Sequence, residues 1–275
     1  FPSDQYALAS QLRFHGLDPK EHLIEVAPRE GEHHIHKEDF IAAIDAHGEE
    51  IAMMMIGGVN YYTGQVMDMK TLTAHAQAKG IIVGWDLAHG AGNIDIQLHD
   101  WNVDFAAWCS YKYLNSGPGN VSGIYIHEKH CTNPETPRFS GWWGYQENKR
   151  FLMEKGYIPE NGAAGWQLSN APVFGMAIHL ASLEIFHQAG ISNLRNKSKN
   201  LTSYLYFVLE EAKKLIGGDR QNDYGDKLKN HQNIADLWSV FLKTKITAHD
   251  VAICMALVKI ARLMNQHKKD NYIDL

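Results

Sequence analysis

Four short apolar runs mark the first half of the chain, at residues 51–56, 81–85, 103–109 and 121–127, each flanked by Gly, Asp or Asn. Their apolar residues are continuous rather than alternating, which is typical of strands buried on both faces of a parallel sheet. Between the first two runs, residues 69–80 have helical spacing and close at Gly80. This order predicts a strand–helix–strand unit with Gly80 as the helix C-cap.

The pattern changes in the second half of the chain. All eight prolines lie at or before Pro172, and only three of the 23 glycines follow residue 216. Helical spacing then dominates, and we predict helices over residues 172–189, 192–215, 234–242 and 249–266, the last beginning at Thr247 or Ala248. The sequence therefore predicts an α/β domain, a mostly parallel sheet with flanking helices, over residues 1–216, followed by a small all-helical domain over residues 217–275.

The amino-acid composition argues against two classes of binding partner, nucleic acids and membranes. The 26 basic and 31 acidic residues give a net charge of −5, which offers no support for binding nucleic acid or an anionic membrane. The apolar runs are too short for a membrane helix, and the opening residues lack the pattern of a signal peptide. Three cysteines are too few for a disulfide framework, which favours a cytoplasmic location. Because the chain opens with Phe1 rather than Met, we expect the upstream part of a longer protein to be absent.

The chemistry concentrates in VGWDLAHGAGN (83–93) and WCSYKYLNSGPG (108–119). Asp86 ends a predicted buried strand, where α/β sheets bind ligands, and Lys112 follows a later strand between two tyrosines. Such a pair suits pyridoxal phosphate, because an acid keeps the pyridine nitrogen protonated while an amine forms the Schiff base. Each residue alone is a weak signal, since Asp86 also reads as a strand-end cap and Lys112 as a solvated lysine.

A resemblance adds to these two residues. The segments DLAHGAGN, CSYKYLN, GWWG and LSNAP occur in this order within residues 1–215. In wording and spacing they resemble kynureninase, a fold-type-I pyridoxal-phosphate enzyme. The resemblance implies hydrolysis of L-kynurenine or 3-hydroxy-L-kynurenine to anthranilate or 3-hydroxyanthranilate plus L-alanine, in tryptophan catabolism and NAD biosynthesis. It also implies a cytoplasmic homodimer.

Carried over residue by residue, the resemblance assigns the catalytic roles to three positions. Lys112 is the Schiff-base lysine, Asp86 partners the pyridine nitrogen, and Tyr111 binds the phosphate and donates a proton during cleavage. The remaining cofactor-binding positions are Phe1, Pro2, Ser3 and Asp4 of the opening FPSD loop, His89, Trp142 and Asn170. Phe1 would stack on the cofactor ring, and Asn170 would reach the phosphate of a neighbouring subunit. For Trp142 and His89 the structural alternatives are a core aromatic residue and a hydrogen-bonded strand-end histidine.

Three departures from the family pattern concern completeness. The family's phosphate-binding loop lies upstream of FPSD, a serine of the animal enzymes aligns with Gly57, and the arginine that binds the substrate carboxylate has no counterpart after residue 215. One alternative is therefore a catalytically incomplete fragment. Residues 217–275 resemble an uncharacterised all-helical phage-type domain, which suggests a nucleotide-related or interaction module. The join between the two parts is a genuine fusion, a gene-model error or an assembly chimera, and the abrupt change of pattern favours an artefact.

Several other candidates are weaker. Asp270 and Asp274 could hold magnesium on a helix, but solvated acids near a chain end are the better interpretation, and His33–His36 reads as a surface loop rather than a metal site. We therefore predict no metal. Within the same fold class the nearest rivals are an aminotransferase and a cysteine desulfurase. The desulfurase needs a catalytic cysteine in a mobile loop, a context that neither Cys131 nor Cys254 has.

Overall fold

The computed structural model describes residues 2–217 and 225–265 and divides the chain into two compact units, Phe1–Arg195 and Asn196–Leu275. The roles predicted for Phe1, Asp270 and Asp274 fall outside the described residues. Where the described part has helices long enough to consider, none is apolar enough to cross a membrane.

Helices and short strands alternate up to residue 217, and the last of these helices continues from the first unit into the second. In chain order the elements are α1 (Pro2–Phe14), α2 (Pro19–His22), α3 (Lys37–His47), β1 (Met53–Gly57), α4 (Met69–Gln77), β2 (Ile82–Asp86), β3 (Phe105–Cys109), β4 (Ser122–Ile126), α5 (Val173–Ala189) and α6 (Ile191–Gly217). The four predicted apolar runs are the four strands, and the helices predicted after Pro172 are confirmed. Helix α4 ends earlier than predicted, and Gly80, with φ of +78°, turns the chain toward β2.

The strands form one sheet in the order β1-β2-β3-β4. The first three are parallel, with Met54 opposite Val83 and Gly84 opposite Phe105, whereas β4 runs antiparallel to β3. The connection from β3 to β4 contains no helix, and without such a crossover a strand that pairs with its predecessor returns antiparallel. The carboxyl ends of β1, β2 and β3 therefore meet at one edge of the sheet.

Helix α4 packs its apolar face on the central strand. Leu72 and Ala76, spaced four apart, are fully buried, and Asp68 caps the helix by accepting from the Thr71 N–H at 3.2 Å. Trp85 of β2 is also fully buried, and its Nε1 donates to Thr73 Oγ1 at 3.0 Å. Burying a side chain of this size stabilises the fold by about 3 kcal/mol. Packing against α4 therefore fixes the position of the strand that ends at Asp86.

Asp104 occupies the opposite, amino end of the sheet, just before β3. Its carboxylate is 4% exposed and accepts from Val83 N (2.8 Å), Gln77 Nε2 (2.8 Å), Lys129 Nζ (2.7 Å) and His130 Nε2 (2.7 Å). Burial raises the pKa of Asp104, but these hydrogen bonds outweigh it and lower the pKa to about 2. This acid ties β2, α4 and the start of β3 together.

The regular secondary structure in the described residues of the second unit is all helical, as the sequence predicts. It contains α7 (Lys227–Leu242) and α8 (Ala248–Asn265), and Ala235 and Val251 are fully buried. Thr247 and Asp250 form a reciprocal cap, in which Asp250 Oδ2 accepts from Thr247 N at 2.8 Å and Thr247 Oγ1 accepts from Asp250 N at 3.2 Å. Thr247 therefore precedes the first residue of α8.

Candidate active site

The backbone around Asp86 is held from both sides at the carboxyl edge of the sheet. Asp86 pairs with Gly57 on β1 and Ala107 on β3, and its carbonyl accepts from Gly58 N at 2.8 Å. Its side chain turns back to accept from Ala88 N at 2.7 Å. One carboxylate oxygen thus acts as the strand-end cap considered above.

Lys112 lies in the turn that follows β3. Buried serines tie the base of this turn: Ser116 Oγ donates to Ser110 Oγ at 2.7 Å, and Ser116 N donates to Ser110 O at 3.2 Å. At the top of the turn, Asn115 N donates to Lys112 O at 3.1 Å. The sequence pattern Ser-x-Lys therefore presents the lysine from a braced loop rather than as a freely solvated side chain.

Lys112 and His89 contact each other directly. Lys112 Nζ lies 3.0 Å from His89 Nε2. An ammonium group only donates, so His89 accepts through Nε2 and is neutral, with its proton on Nδ1. Burial and the positive charge of Lys112 lower the pKa of His89, which favours this neutral form, while Asp86 acts in the opposite direction. The ring of His89 lies between Tyr61 and Tyr113, at centroid distances of 6.0 and 6.1 Å.

Gly92 lets the two loops approach. It has φ of +78°, and a Cβ there would lie 2.9 Å from Leu114 Cδ2 and 3.1 Å from the backbone carbonyl of Tyr113. A larger residue would therefore push the DLAHGAG loop away from the loop that carries Lys112. The second glycine of the GAG sequence is therefore required for the close approach of the two loops.

Asp4 joins the same group from the first turn of α1. Its side chain is hydrogen-bonded to the carboxylate of Asp86, and a bond between two carboxyl groups needs one proton. Burial and the negative charge of Asp86 raise the pKa of Asp4 to about 6, while the charge of Lys112 lowers it. Asp4 therefore takes up a proton at a higher pH than an ordinary aspartate. Pro2 and Ser3 lie in the same turn, exposed, so the structure places residues 2–4 in a helix and not in the predicted loop.

Tyr111 borders this group. Its side chain is 46% exposed, and its ring centroid lies 5.9 Å from Lys112 Nζ. A hydrogen bond with Cys109 raises the pKa of the Tyr111 phenol, and the nearby thiol and burial add to the effect. The phenol is therefore protonated at neutral pH, as a proton donor must be.

Trp142 and Asn170 form a second group, on two segments that pack against each other. We call residues 141–144 the tryptophan turn. A Cβ on Gly141 would lie 2.1 Å from Leu168 O, and one on Gly144 would lie 2.6 Å from Gln167 O. Glycine at both ends of the turn therefore allows it to lie directly on the backbone of residues 167–168. Trp142 is 44% exposed and Asn170 is also exposed, so Trp142 is not a core aromatic residue.

The structure thus brings Asp4, Asp86, His89, Tyr111 and Lys112 together as a strand-end group and places Trp142 and Asn170 as a second group. The sequence reasoning missed Tyr61, Arg150 and Phe151. Tyr61 follows the end of β1, so its position after a parallel strand was a usable signal. Arg150 and Phe151 gave no such signal, because their contacts with the tryptophan turn depend on how the loop folds.

In sequence, most of this chain is similar to curated kynureninases. The chain is 56% identical over 216 residues to a kynureninase of Flavobacterium johnsoniae, which covers 78% of this chain and 51% of that protein. It is 54% identical over 209 residues to a kynureninase of Nematostella vectensis, covering 76% of this chain and 45% of that protein. The chain therefore spans about half the length of the curated relatives it matches.

The C-terminal part matches a different family. Residues 207–275 match a model described as a domain of unknown function, DUF6378. The helical part at the end of the chain thus has its own family, as the resemblance to an uncharacterised domain predicted.

Solved structures identify the fold. A cysteine desulfurase from Thermococcus onnurineus NA1 superposes with a TM-score of 0.54 at 20% identity, covering 76% of this chain and 48% of that one. A cysteine desulfurase from Escherichia coli gives a TM-score of 0.50 at 19% identity, covering 62% and 41%. Over most of its length the chain is therefore a homologue of kynureninases, with the fold of the pyridoxal-phosphate-dependent transferases.

Proposed function

We propose that this chain binds pyridoxal phosphate at the strand-end group and supplies residues for the hydrolysis of L-kynurenine or 3-hydroxy-L-kynurenine. The products would be anthranilate or 3-hydroxyanthranilate and L-alanine. The observation that carries the proposal is that Asp86 and Lys112 act on the same two neighbours, His89 and Asp4, at one edge of the sheet. The similarity to curated kynureninases, at 56% identity for the Flavobacterium johnsoniae enzyme, supports the choice of reaction.

The residues of the strand-end group fit this cofactor. When bound, pyridoxal phosphate supplies an aldehyde carbon that reacts with amines and a pyridine ring that accepts electrons. Lys112 offers the amine, and His89 with its flanking tyrosines offers aromatic faces for a flat ring. Asp86 offers a carboxylate to the pyridine nitrogen. Resemblance adds Phe1, Pro2 and Ser3 on the ring side and Trp142 and Asn170 toward the phosphate.

Three residues of the group handle protons in this proposal. Asp4, whose pKa is raised to about 6, gains a proton next to Asp86 as the pH falls through that value, which lowers the negative charge of the pair. Lys112 donates to neutral His89, which keeps the lysine amine oriented within the group. Tyr111, protonated at neutral pH, donates the proton to the carbon that separates from the substrate carbonyl, and water adds to that carbonyl.

The test uses the whole chain and the variant Lys112→Ala. We expect the wild-type chain to develop the visible absorbance of bound pyridoxal phosphate and Lys112→Ala to lose it completely, because no other amine occupies this position. Anthranilate fluorescence after addition of L-kynurenine measures turnover, and sulfide release from cysteine tests the desulfurase alternative. Lys79→Ala is the matched control, since Lys79 is a surface lysine whose amine pairs with Asp45 at 3.6 Å. Equal absorbance in the wild type and Lys112→Ala would contradict the proposal.

We also propose a division near residue 216 between a cofactor-binding domain and a helical domain. The match of residues 207–275 to a separate family supports a boundary in this region, while compactness alone divides the chain at Arg195. Helix α6 contains both positions, so the two criteria place the boundary at different points of one continuous helix. For the enzyme we propose a cytoplasmic homodimer acting in tryptophan catabolism and NAD biosynthesis, on the strength of the resemblance. Light scattering of the purified chain tests the dimer.

A further inference from the structure

Arg150 is a buried cation with an unusual set of partners. Its side chain is 7% exposed, and its Nη2 donates to Trp143 O at 3.0 Å and to Tyr145 O at 2.9 Å. The guanidinium carbon also lies 4.6 Å from the centroid of the Trp143 ring. Charged side chains are rarely buried unless they are paired, because desolvation is costly. Here the hydrogen bonds go to two backbone carbonyls, one in the tryptophan turn and one just after it.

Phe151, the next residue, contacts the other tryptophan. Its ring meets Trp142 edge to face, at a centroid distance of 5.6 Å and an angle of 80°. Phe151 is itself 74% exposed, so it contributes little to the core of the unit. Arg150 and Phe151 belong to one short 3₁₀ turn, Arg150–Leu152. Two consecutive residues of that turn therefore hold two consecutive tryptophans.

The tryptophan turn needs such support. Trp142 is 44% exposed and the turn contains only three 3₁₀ residues, Trp142–Gly144, so burial alone leaves the direction of the indole poorly fixed. Glycines at both ends allow close packing on residues 167–168 but remove side chains that could brace the turn. Hydrogen bonds of Arg150 to carbonyls on both sides of Gly144, together with the edge contact of Phe151, provide the missing constraint.

We propose that Arg150 and Phe151 are positioning residues that fix Trp142 for the phosphate of pyridoxal phosphate. The inference rests on the proposed function, which assigns the phosphate to Trp142 and Asn170. The Trp142 indole N–H is a single neutral donor, and a hydrogen bond weakens steeply when the donor is displaced or tilted. Losing either support therefore lowers affinity for the phosphorylated cofactor and leaves affinity for pyridoxal, which lacks the phosphate, almost unchanged.

The experiment compares the two ligands on each variant of the whole chain. Apparent dissociation constants for pyridoxal phosphate and pyridoxal are measured from the absorbance of the bound ligand. We expect Arg150→Met to weaken pyridoxal phosphate binding about tenfold, the loss of one well-placed hydrogen bond, while pyridoxal binding changes less than about twofold. Arg150→Lys, which keeps the charge but not the planar fork, should recover part of the loss. Phe151→Leu, at an exposed position that the fold tolerates, should weaken phosphate recognition about threefold, as expected for one aromatic pair.

Arg138 provides the matched control. It also stacks on a tryptophan, 4.7 Å from the Trp166 ring, but it donates to Thr136 O and Asn133 O rather than to the tryptophan turn. Arg138→Met should therefore leave the ratio of the two affinities unchanged. Equal weakening of both ligands, or an unchanged ratio in Arg150→Met and Phe151→Leu, would overturn the inference alone. A wild-type chain that binds neither ligand would overturn the proposed function as well.

Discussion

Carboxylates at the two ends of the parallel strands have opposite environments. At the amino end, Asp104 is 4% exposed and receives hydrogen bonds from a backbone amide, an amide side chain, a lysine and a histidine, which lower its pKa to about 2. At the carboxyl end, Asp86 faces a second acid, Asp4, whose pKa rises to about 6 through burial and the Asp86 charge. The carboxylate of Asp104 is thus surrounded by hydrogen-bond donors, whereas the carboxylate of Asp86 faces a second carboxyl group.

This difference distinguishes a carboxylate that stabilises the fold from carboxylates that can bind a ligand. A carboxylate whose acceptor positions are filled stabilises the fold and has nothing to offer a ligand. A pair of acids that must share one proton costs stability, and such perturbed groups cluster at functional sites. The comparison predicts that substitutions at Asp104 change the free energy of unfolding, whereas substitutions at the carboxyl end change ligand binding.

The largest expected effect is on stability. Asp104→Ala should lower the free energy of unfolding by about 3 kcal/mol, because it leaves the buried Val83 N–H without an acceptor and removes the carboxylate that Lys129 and His130 contact. Urea denaturation measures the change, and Asp104→Asn, which keeps one acceptor oxygen, should lose less. Pyridoxal phosphate affinity of the folded variant should stay the same. A selective loss of cofactor binding in Asp104→Ala would break the comparison.

Asp86→Ala should show the reverse pattern. It removes a hydrogen bond to Ala88 N but also relieves the repulsion with Asp4, so stability should change by less than about 1 kcal/mol. Cofactor affinity should fall about a hundredfold, the value of a hydrogen bond between charged groups. Absorbance titration and urea denaturation of the same sample test both halves. A large loss of stability with normal binding would make Asp86 a structural residue like Asp104.

Gly92 and Gly80 sharpen the comparison within the backbone. Both have φ of +78°, but a Cβ at Gly80 meets nothing within 4 Å, whereas one at Gly92 meets the Lys112 loop. We expect Gly80→Ala to cost about 1 kcal/mol of stability from strain alone. Gly92→Ala should cost about 1 kcal/mol more and weaken cofactor binding about tenfold, because it separates the two loops. Equal behaviour of the two variants would show that the loop contact does not matter for binding.

The smallest effect concerns the pH dependence of stability. The pKa of Asp4 is about 6 in the folded chain and 3.8 when unperturbed, so the folded state binds more protons between these values. Stability contributed by Asp4 is therefore highest below about pH 4 and falls as the pH rises to 6. Asp4→Asn should flatten this part of the profile and raise stability at pH 7 by at most about 1 kcal/mol, since solvent screens a partly exposed group. Asp104 has the opposite sign: its lowered pKa stabilises the chain above about pH 4, and the contribution disappears toward pH 2. Denaturation curves at several pH values measure both slopes, and an unchanged profile in Asp4→Asn would contradict the pairing with Asp86.

Much of the fold follows from local patterns in the sequence. Continuous apolar runs predicted the positions of all four strands, but the expectation of burial on both faces was wrong, since Met53 is 45% exposed and Ile82 and Ile124 are each 46% exposed. Helical spacing predicted α4 through α8, although burial of an apolar face holds for α4 and not for α5, where Ser182 is the one buried residue. Asp86 and Lys112 were also predictable, since each directly follows or ends a parallel strand, and the carboxyl ends of parallel strands meet at one edge.

Only the tertiary structure decided the rest. Residues distant in sequence or loop geometry determine the direction of β4, the approach of Asp4 to Asp86 and the contacts of Arg150 and Phe151 with the tryptophans. Local propensity carries no information about which distant groups become neighbours, nor about how burial shifts a pKa. The sequence therefore determined which residues carry reactive groups. Packing determined which of those residues lie close enough to interact, and through which loop and ring contacts.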